Sequence, residues 1–390
     1  MDADIAIVGA GPAGLSFARA LAGSGLSVTL IEQQPRAALA DPAFDGREIA
    51  LTHASRRIME TLDLWSRIDA ADISPLRDAR VMDGPSLFAM QIKAAAAGHD
   101  ALGYLVPNHL IRKAAFSSLM DAGEARLIAE TRVTGIERDA QGVRIALSSG
   151  ETISARLIVC ADSRWSETRR MLGIGAATRD FGRSMMVCRM EHEVDHEHVA
   201  WEWFGYGQTL AMLPLNGLRA SAVLTLPQGQ MQAVMALAPD DFNTEMTRRF
   251  DGRLGAMKLA STRHVYPLVG VFADRFAGPR CALVGDAAVG MHPVTAHGFN
   301  FGLQSQERLA GRLIQAVRIG RDIADPGLLA DYDRAHRTAT FPLYQATNLI
   351  ASLYTDERPP ARLLRKAALH FANRMVPVKK AIAAHLTQAV

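Results

Sequence analysis

The chain of 390 residues carries 43 Lys and Arg against 40 Asp and Glu, a formal net charge of +3, with 49% hydrophobic and 21% charged residues. These values exclude a nucleic-acid binder with positive charge spread over its body, and a disordered chain too polar to bury a core. No apolar run approaches the roughly 20 residues of a membrane-spanning helix. The acidic start Met1-Asp2-Ala3-Asp4 lacks the basic region of a signal peptide, and Cys160, Cys188 and Cys281 lie in apolar runs, so a cytoplasmic protein is expected.

The first element is a short apolar run, Asp4–Gly9, read as a buried parallel strand. It enters Gly9-Ala10-Gly11-Pro12-Ala13-Gly14, then a helical stretch from Leu15, then a second apolar strand Val28–Ile31 ending at Glu32. Strand, glycine turn, helix, strand and acid in this order form a dinucleotide-binding unit. Gly9 permits the tight turn, Gly11 lets the backbone approach a pyrophosphate, and Gly14 lets helix and strand pack closely. The phosphates then meet the positive end of the helix, and Glu32 accepts hydrogen bonds from ribose hydroxyls. The motif by itself leaves NAD and FAD open.

Gly46–Leu51 leads into a helix at Ala54–Leu62, and Gly103–Val106 precedes Pro107-Asn108-His109 and a helix over Leu110–Met120. Arg132–Arg138, Gly142–Leu147 and Thr152–Val159 read as a meander. Strands follow at Met185–Met190, Val199–Gly205, Thr209–Pro214 and Ala220–Leu226, then one amphipathic helix over Met231–Arg253. Arg280–Val284 is another apolar strand. Helices are expected over Gly302–Ile319, over Leu328–His336, and from Phe341 onward with breaks at Pro359-Pro360 and Pro377.

This interleaving predicts an α/β (α+β, two-domain) fold: a Rossmann-like nucleotide-binding domain interrupted by an antiparallel β-sheet domain. The expected boundaries are 1–75, 100–180 and 266–340 for the first, 76–99 and 181–265 for the second, and 341–390 for a helical C-terminal segment. The tail from Asp356 has seven basic and two acidic residues, a net of +5 that leaves −2 for the rest.

Three motifs stand in register: the glycine motif with its acid, a strand ending in Ala161-Asp162, and a strand ending in Gly285-Asp286 followed by His292-Pro293. This set resembles the class A flavoprotein monooxygenases of the p-hydroxybenzoate hydroxylase type. Gly285-Asp286-Ala287-Ala288, Gly298-Phe299-Asn300-Phe301-Gly302-Leu303, Arg47 with Ala50-Leu51, Leu64-Trp65, and Thr347-Asn348 with Leu353-Tyr354 are similar to the ubiquinone-biosynthesis hydroxylases, in a compact, divergent branch. The resemblance spans essentially the whole chain.

The resemblance implies bound FAD, with NAD(P)H or another electron donor as co-substrate. Gly9, Gly11, Pro12, Ala13, Gly14 and Glu32 would hold its ADP half. Arg47, Asn108, Val133, Asp162 and Gly285 would contribute to the site, Asp286 would meet the ribityl chain, and Pro293, Gly298, Phe299 and Asn300 would approach the flavin ring. The implied reaction adds oxygen to an electron-rich ring through a flavin C4a-hydroperoxide, and water must be excluded. The implied substrate is a lipophilic, polyprenylated phenol or quinol, with 5-hydroxylation of demethoxyubiquinol, or hydroxylation at several ring positions, as the expected chemistry and O2 as co-substrate.

The chain departs from the family pattern at Ser163, where Asp-Gly is usual, which puts the electron donor in doubt. It departs again at His297, which either relays a proton or fills the gap left by a missing glutamine. Gln304, Ser305 or Gln306 replaces the acid usually found after the loop.

Trp201, Trp203 and Met212 either wall an apolar substrate channel or pack a core. Alternation puts Trp201 and Trp203 on one face of their strand and Phe204 on the other. Asn108 either meets a phosphate or caps its helix. The stretch Glu191–His198 is rich in histidine and acid, but its irregular spacing reads as a solvated loop, so no metal is expected. Leu364, Ala367, Ala368, Phe371 and Met375, continued by Val378, Ile382 and Leu386, make an apolar stripe beside Arg365, Lys366, Lys379 and Lys380. That tail either caps the body, docks on an anionic membrane surface, or meets other ubiquinone-biosynthesis enzymes. The rival functions are a prenyl-chain reductase on the same fold and a non-catalytic FAD-binding scaffold.

Overall fold

The computed structural model describes residues 1–86, 88–293, 298–356, 358–375, 383–384 and 386–387. His297 therefore lies outside the described residues, as do Val378, Lys379, Lys380 and Ile382 and the side chains of Leu364 and Lys366.

The glycine motif lies at the centre of the first sheet. Ala3–Val8 pairs in parallel with Val28–Ile31 on one side and with Thr152–Cys160 on the other. Cys281–Leu283 extends the sheet beyond Thr152–Cys160, and Ala125–Ile128 beyond Val28–Ile31, both in parallel. The chain order thus reverses at Ala3–Val8, which places a crevice beyond its carboxyl end. Both faces are covered, so the strand side chains read as continuous apolar runs. Ile5, Ile7, Leu30, Leu157 and Val159 are fully buried, and each such side chain stabilises the fold by about 1.5–3 kcal/mol. Val133–Arg138, Val143–Leu147 and Thr152–Cys160 form the expected antiparallel meander.

The second sheet has nine strands. Its long strand Ala176–Glu191 pairs with His264–Ala273 and Arg219–Pro227. The order then runs through Thr209–Pro214 and Val199–Phe204 to the hairpin Asp78–Asp83 and Ala89–Lys93. One face is covered by helices Gln228–Met235 and Pro239–Arg249, which bury Met231, Phe242 and Met246 against Met186, Cys188, Leu210 and Leu224. The sequence pattern suggested a single helix here. Pro239 starts a second one instead, because proline fits a first helical turn but not a helix interior. The other face of this sheet looks toward the crevice of the first.

Two long helices close the structure. Gly298–Arg318 starts four residues earlier than its apolar pattern suggested. Pro326–Thr355 runs on through Pro342. A further helix, Pro359–Arg374, begins with two prolines. Leu369 of this helix, with Ala383, packs on Met90, Ile92 and Leu102 of the hairpin region in a third apolar cluster.

Candidate functional site: a cavity between the two sheets

A single cavity of about 1610 Å³ runs from the glycine turn, across the open face of the second sheet, to the C-terminal helix. Ligand pockets commonly hold about 300–1,000 Å³, so this space exceeds one ordinary ligand and suits a dinucleotide with a second molecule.

At its inner end, Gly9 has φ +102°, and a Cβ there would lie 2.6 Å from the Ala161 carbonyl oxygen. A Cβ on Gly14 would lie 2.0 Å from the Gly9 oxygen. Both positions demand glycine for packing within the protein. Gly11 differs, since among the described residues a Cβ on it meets no atom within 4 Å and would project into open space at the start of helix Pro12–Leu21. That is the cradle a pyrophosphate requires: open backbone at a positive helix end. Glu32 accepts from Ala10 N at 2.7 Å through one oxygen and from Gln34 N at 2.9 Å through the other. These bonds orient the carboxylate on the cavity wall with lone pairs left for a ribose. Val133 lines the cavity nearby.

Farther along, Asp45 gathers Arg47 and Asn108. It accepts from Arg47 Nη2 at 2.6 Å and from Asn108 Nδ2 at 2.7 Å. Burial tends to raise its pKa, but Arg47 and these hydrogen bonds prevail and hold it below the usual carboxylate range. Asn108 therefore spends its amide on Asp45, and the helix it opens has no side-chain cap. Arg47 lies over the Tyr266 ring and lines the cavity. Asn300 donates to Ala50 O and accepts from Thr52 N, tying the first turn of its helix to strand Glu48–Leu51. Gly298 has no atom of the described residues within 4 Å of a Cβ, and with Pro293 and Phe299 it lines this part of the cavity.

Asp286 also lines the cavity, and its carboxylate is paired with Arg164, Nη2 to oxygen 2.8 Å. Gly285 has φ +62° and would carry a Cβ 2.8 Å from Ala13, so the two glycine turns pack on each other. Asp162 lines the cavity, and its carboxylate accepts from Ser166 Oγ and Thr168 N at the start of a short helix. Ser163 adopts φ +92°, a conformation suited to glycine. His292 is buried against Phe181, and burial pushes its imidazole down to about 4, so it is neutral.

The open face of the second sheet supplies the middle of the cavity. Ala200, Glu202 and Phe204 point into it, and alternation sends Trp203 and Met212 to the opposite face. There Trp203 donates to Gly84 O and both residues join the core under the two short helices. Trp201 packs against that core while reaching the cavity edge. Of the three residues singled out for substrate, the structure thus brings only Trp201 to the cavity.

Glu202 was not singled out, although one acid among the apolar residues of Val199–Phe204 is a visible signal. Glu48 is a second buried acid on the wall. Its Oε1 accepts from Arg189, and burial outweighs that partner, pushing the carboxyl up to about 7. The outer end of the cavity is apolar, walled by Leu76, Ala79, Ile92, Leu102, Leu369 and Leu386. Among the described residues, no group of three metal-ligating side chains is found.

The profile of a family described as FAD binding domain matches residues 2–345. The chain is 45% identical to ubiquinone hydroxylase UbiM of Neisseria meningitidis, over 99% of this chain and 85% of that protein. It is 38% identical to ubiquinone hydroxylase UbiL of Rhodospirillum rubrum, over 98% and 89%. The p-nitrophenol 4-monooxygenase PnpA of Pseudomonas putida superposes with a TM-score of 0.79 at 17% identity, over 99% and 98%. The chain therefore belongs to this FAD-binding family of monooxygenases, among its ubiquinone hydroxylases.

Proposed function

We propose that the chain hydroxylates the aromatic ring of a polyprenylated phenol or quinol in ubiquinone biosynthesis, with 5-hydroxylation of demethoxyubiquinol as the preferred step. The observation that carries this reading is the continuity of the cavity: a glycine-lined nucleotide crevice at one end, an apolar zone at the other. A substrate with a polar ring and a long hydrocarbon tail matches that gradient. The relatives named ubiquinone hydroxylases support it.

Bound FAD supplies the activation of O2 once reduced by NAD(P)H or another donor. The protein supplies the setting. Gly9, Gly11, Pro12, Ala13, Gly14 and Glu32 hold the ADP half. Arg47, Asn108, Val133, Asp162, Gly285 and Asp286 line the path of the cofactor. Backbone N–H groups at Gly298–Asn300, the start of a helix, would favour negative charge on a flavin ring held there. The apolar face and the C-terminal helix exclude water, which protects the activated oxygen. His297, which precedes Gly298 in the sequence and lies outside the described residues, is a candidate proton relay.

The tail gives the protein a way to reach a bilayer-dissolved substrate. Phe371 of the C-terminal helix and Leu349 of the long helix before it are exposed, 62% and 70%, in a segment rich in arginine and lysine. Apolar side chains among basic ones bind anionic surfaces. Among the described residues, no helix is long and apolar enough to cross a membrane.

Complementation tests the reaction. Cells lacking their own ring hydroxylases should regain quinone when given this chain, with mass analysis identifying the position. No restored quinone, with FAD-loaded protein present in the cells, overturns the reading.

A further inference from the structure

Across the cavity face of the second sheet, one row of side chains runs in register through six strands: Met90, Val81, Glu202, Ala211, Val223 and Val187. All six line the cavity. Five are apolar and the sixth is a carboxylate. No described residue donates a hydrogen bond or pairs as an ion with Glu202, and its exposed surface opens into the cavity. Sheet sterics do not explain it, because its direct neighbours Val81 and Ala211 offer nothing to an acid. A buried carboxyl left without a partner costs about 1–3 kcal/mol when neutral and more when charged. An apolar residue in its place would avoid that cost.

We infer that Glu202 is the acid–base residue of the substrate pocket, receiving the ring hydroxyl of the phenolic substrate and taking its proton as the ring is oxygenated. This inference rests on the hydroxylase reading above and names the group that reading lacks. In the step, the substrate O–H bond breaks and its proton passes to a Glu202 oxygen. The electron pair stays on the ring oxygen, which makes the ring a better nucleophile toward electrophilic oxygen. The oxygen atom and reducing equivalents are those of the hydroxylation itself.

The environment tunes this exchange. Burial alone pushes the Glu202 carboxyl up to about 8, while a phenol ionises near 10. The proton therefore moves between groups about two units apart instead of the roughly six that separate a phenol from an ordinary carboxylate. Tyr354 of the long helix stacks on Phe204, and its hydroxyl is pushed up to about 12 by burial, with Asp83 and Glu202 adding to the effect and Arg365 opposing it. Arg183 and the neutral His292 line the same cavity.

Position supports the role. Glu202 lies beside Val81, which in turn pairs with Met90 on the next strand, where the apolar outer zone begins. A tail lying among Ile92, Leu369 and Leu386 would leave the ring on the inner side of Glu202.

The test uses FAD-loaded full-length protein and a short-chain prenylated phenol as probe, following hydroxylated product. Wild-type turnover comes first; its absence would count against the hydroxylase reading itself. With turnover established, E202Q should keep its FAD content and lose about 100-fold in kcat, in the range of general acid–base catalysis. The rate limb near pH 8 should vanish in E202Q and persist, weakened, in E202D. An E202Q enzyme within threefold of wild type, with an unchanged pH profile, overturns the inference while leaving the hydroxylase reading intact.

Discussion

Arg365 and Asp83 meet inside the protein, nitrogen to oxygen 3.6 Å, at 0% and 3% exposure. Arg365 comes from the C-terminal helix and Asp83 from the hairpin strand that ends beside the cavity, so one buried pair fastens the outer wall to the sheet. Arg365 also donates to the Tyr354 carbonyl. Replacing one partner strands the other charge, which typically costs 3–5 kcal/mol, whereas replacing both by apolar residues of similar volume is often neutral. We therefore expect R365M to lower stability by about 3–5 kcal/mol and the double variant D83L/R365M to recover most of it. Urea unfolding of the set checks this; equal losses in single and double variants would refute the latch.

The three motif glycines should separate by mechanism. G14A forces a Cβ to 2.0 Å from the Gly9 oxygen and G9A forces one to 2.6 Å from the Ala161 oxygen, so both should unfold more easily even without cofactor. The Cβ of G11A meets no atom of the described residues within 4 Å. It should melt like wild type as apoprotein, even gaining a few tenths of a kcal/mol from reduced unfolded-state entropy, yet bind FAD at least 10-fold more weakly. Apoprotein melting and FAD titration distinguish the two classes, and a G11A variant with wild-type FAD affinity would remove Gly11 from the cradle.

What could be read from the chain follows the range of the interactions. The glycine turn, its acid and the meander are local patterns, so motif and period locate them. The phase of Val199–Phe204 was equally legible: Trp201 and Trp203 share one face and Phe204 takes the other. Which face meets the cavity was not, because that depends on pairing with Asp78–Asp83 and on the helices after Pro227, both distant in sequence. The Asp286–Arg164 pair joins residues 122 apart, and no spacing rule reaches that far. The helix at Gly298 began earlier than its apolar stripe because its first turn faces the cavity, where side-chain periodicity is replaced by backbone and by the Asn300 clamp.

Ser163 holds φ +92°, a left-handed region that suits glycine better than a residue with a side chain. A serine in such a region stores roughly 1 kcal/mol or more of strain. S163G should raise stability by about 0.5–1 kcal/mol, less whatever the more flexible unfolded chain takes back. Thermal melting of FAD-free protein measures it. A lower melting temperature would mean that the Ser163 hydroxyl, which accepts from Trp165 N at 3.3 Å, outweighs the strain.

Stability should fall in mild acid, and His336 should carry a measurable share. It is fully buried, its Nδ1 lies 2.9 Å from Arg308 Nη1, and the always-charged arginine must be the donor, so the imidazole is neutral. Burial, with Arg308 adding to it, pushes the group down to about 3, and burial brings His292 to about 4. Each folded value lies below the unfolded value near 6.5. The unfolded chain therefore binds the proton first, so the contribution is complete above about pH 6.5 and is lost as pH falls toward 3–4. Across that window His336 then removes on the order of 5 kcal/mol and His292 on the order of 3. Glu202 works in the opposite sense: its folded value near 8 exceeds the unfolded 4.5, so it lowers stability as pH rises from 4.5 to 8. Comparing H336F with wild type cancels that background. The variant should be less stable at pH 7, where Arg308 loses its acceptor, and should depend less on pH between 4 and 6.5. Urea midpoints through that range decide it; a slope equal to wild type would show that His336 does not titrate with unfolding.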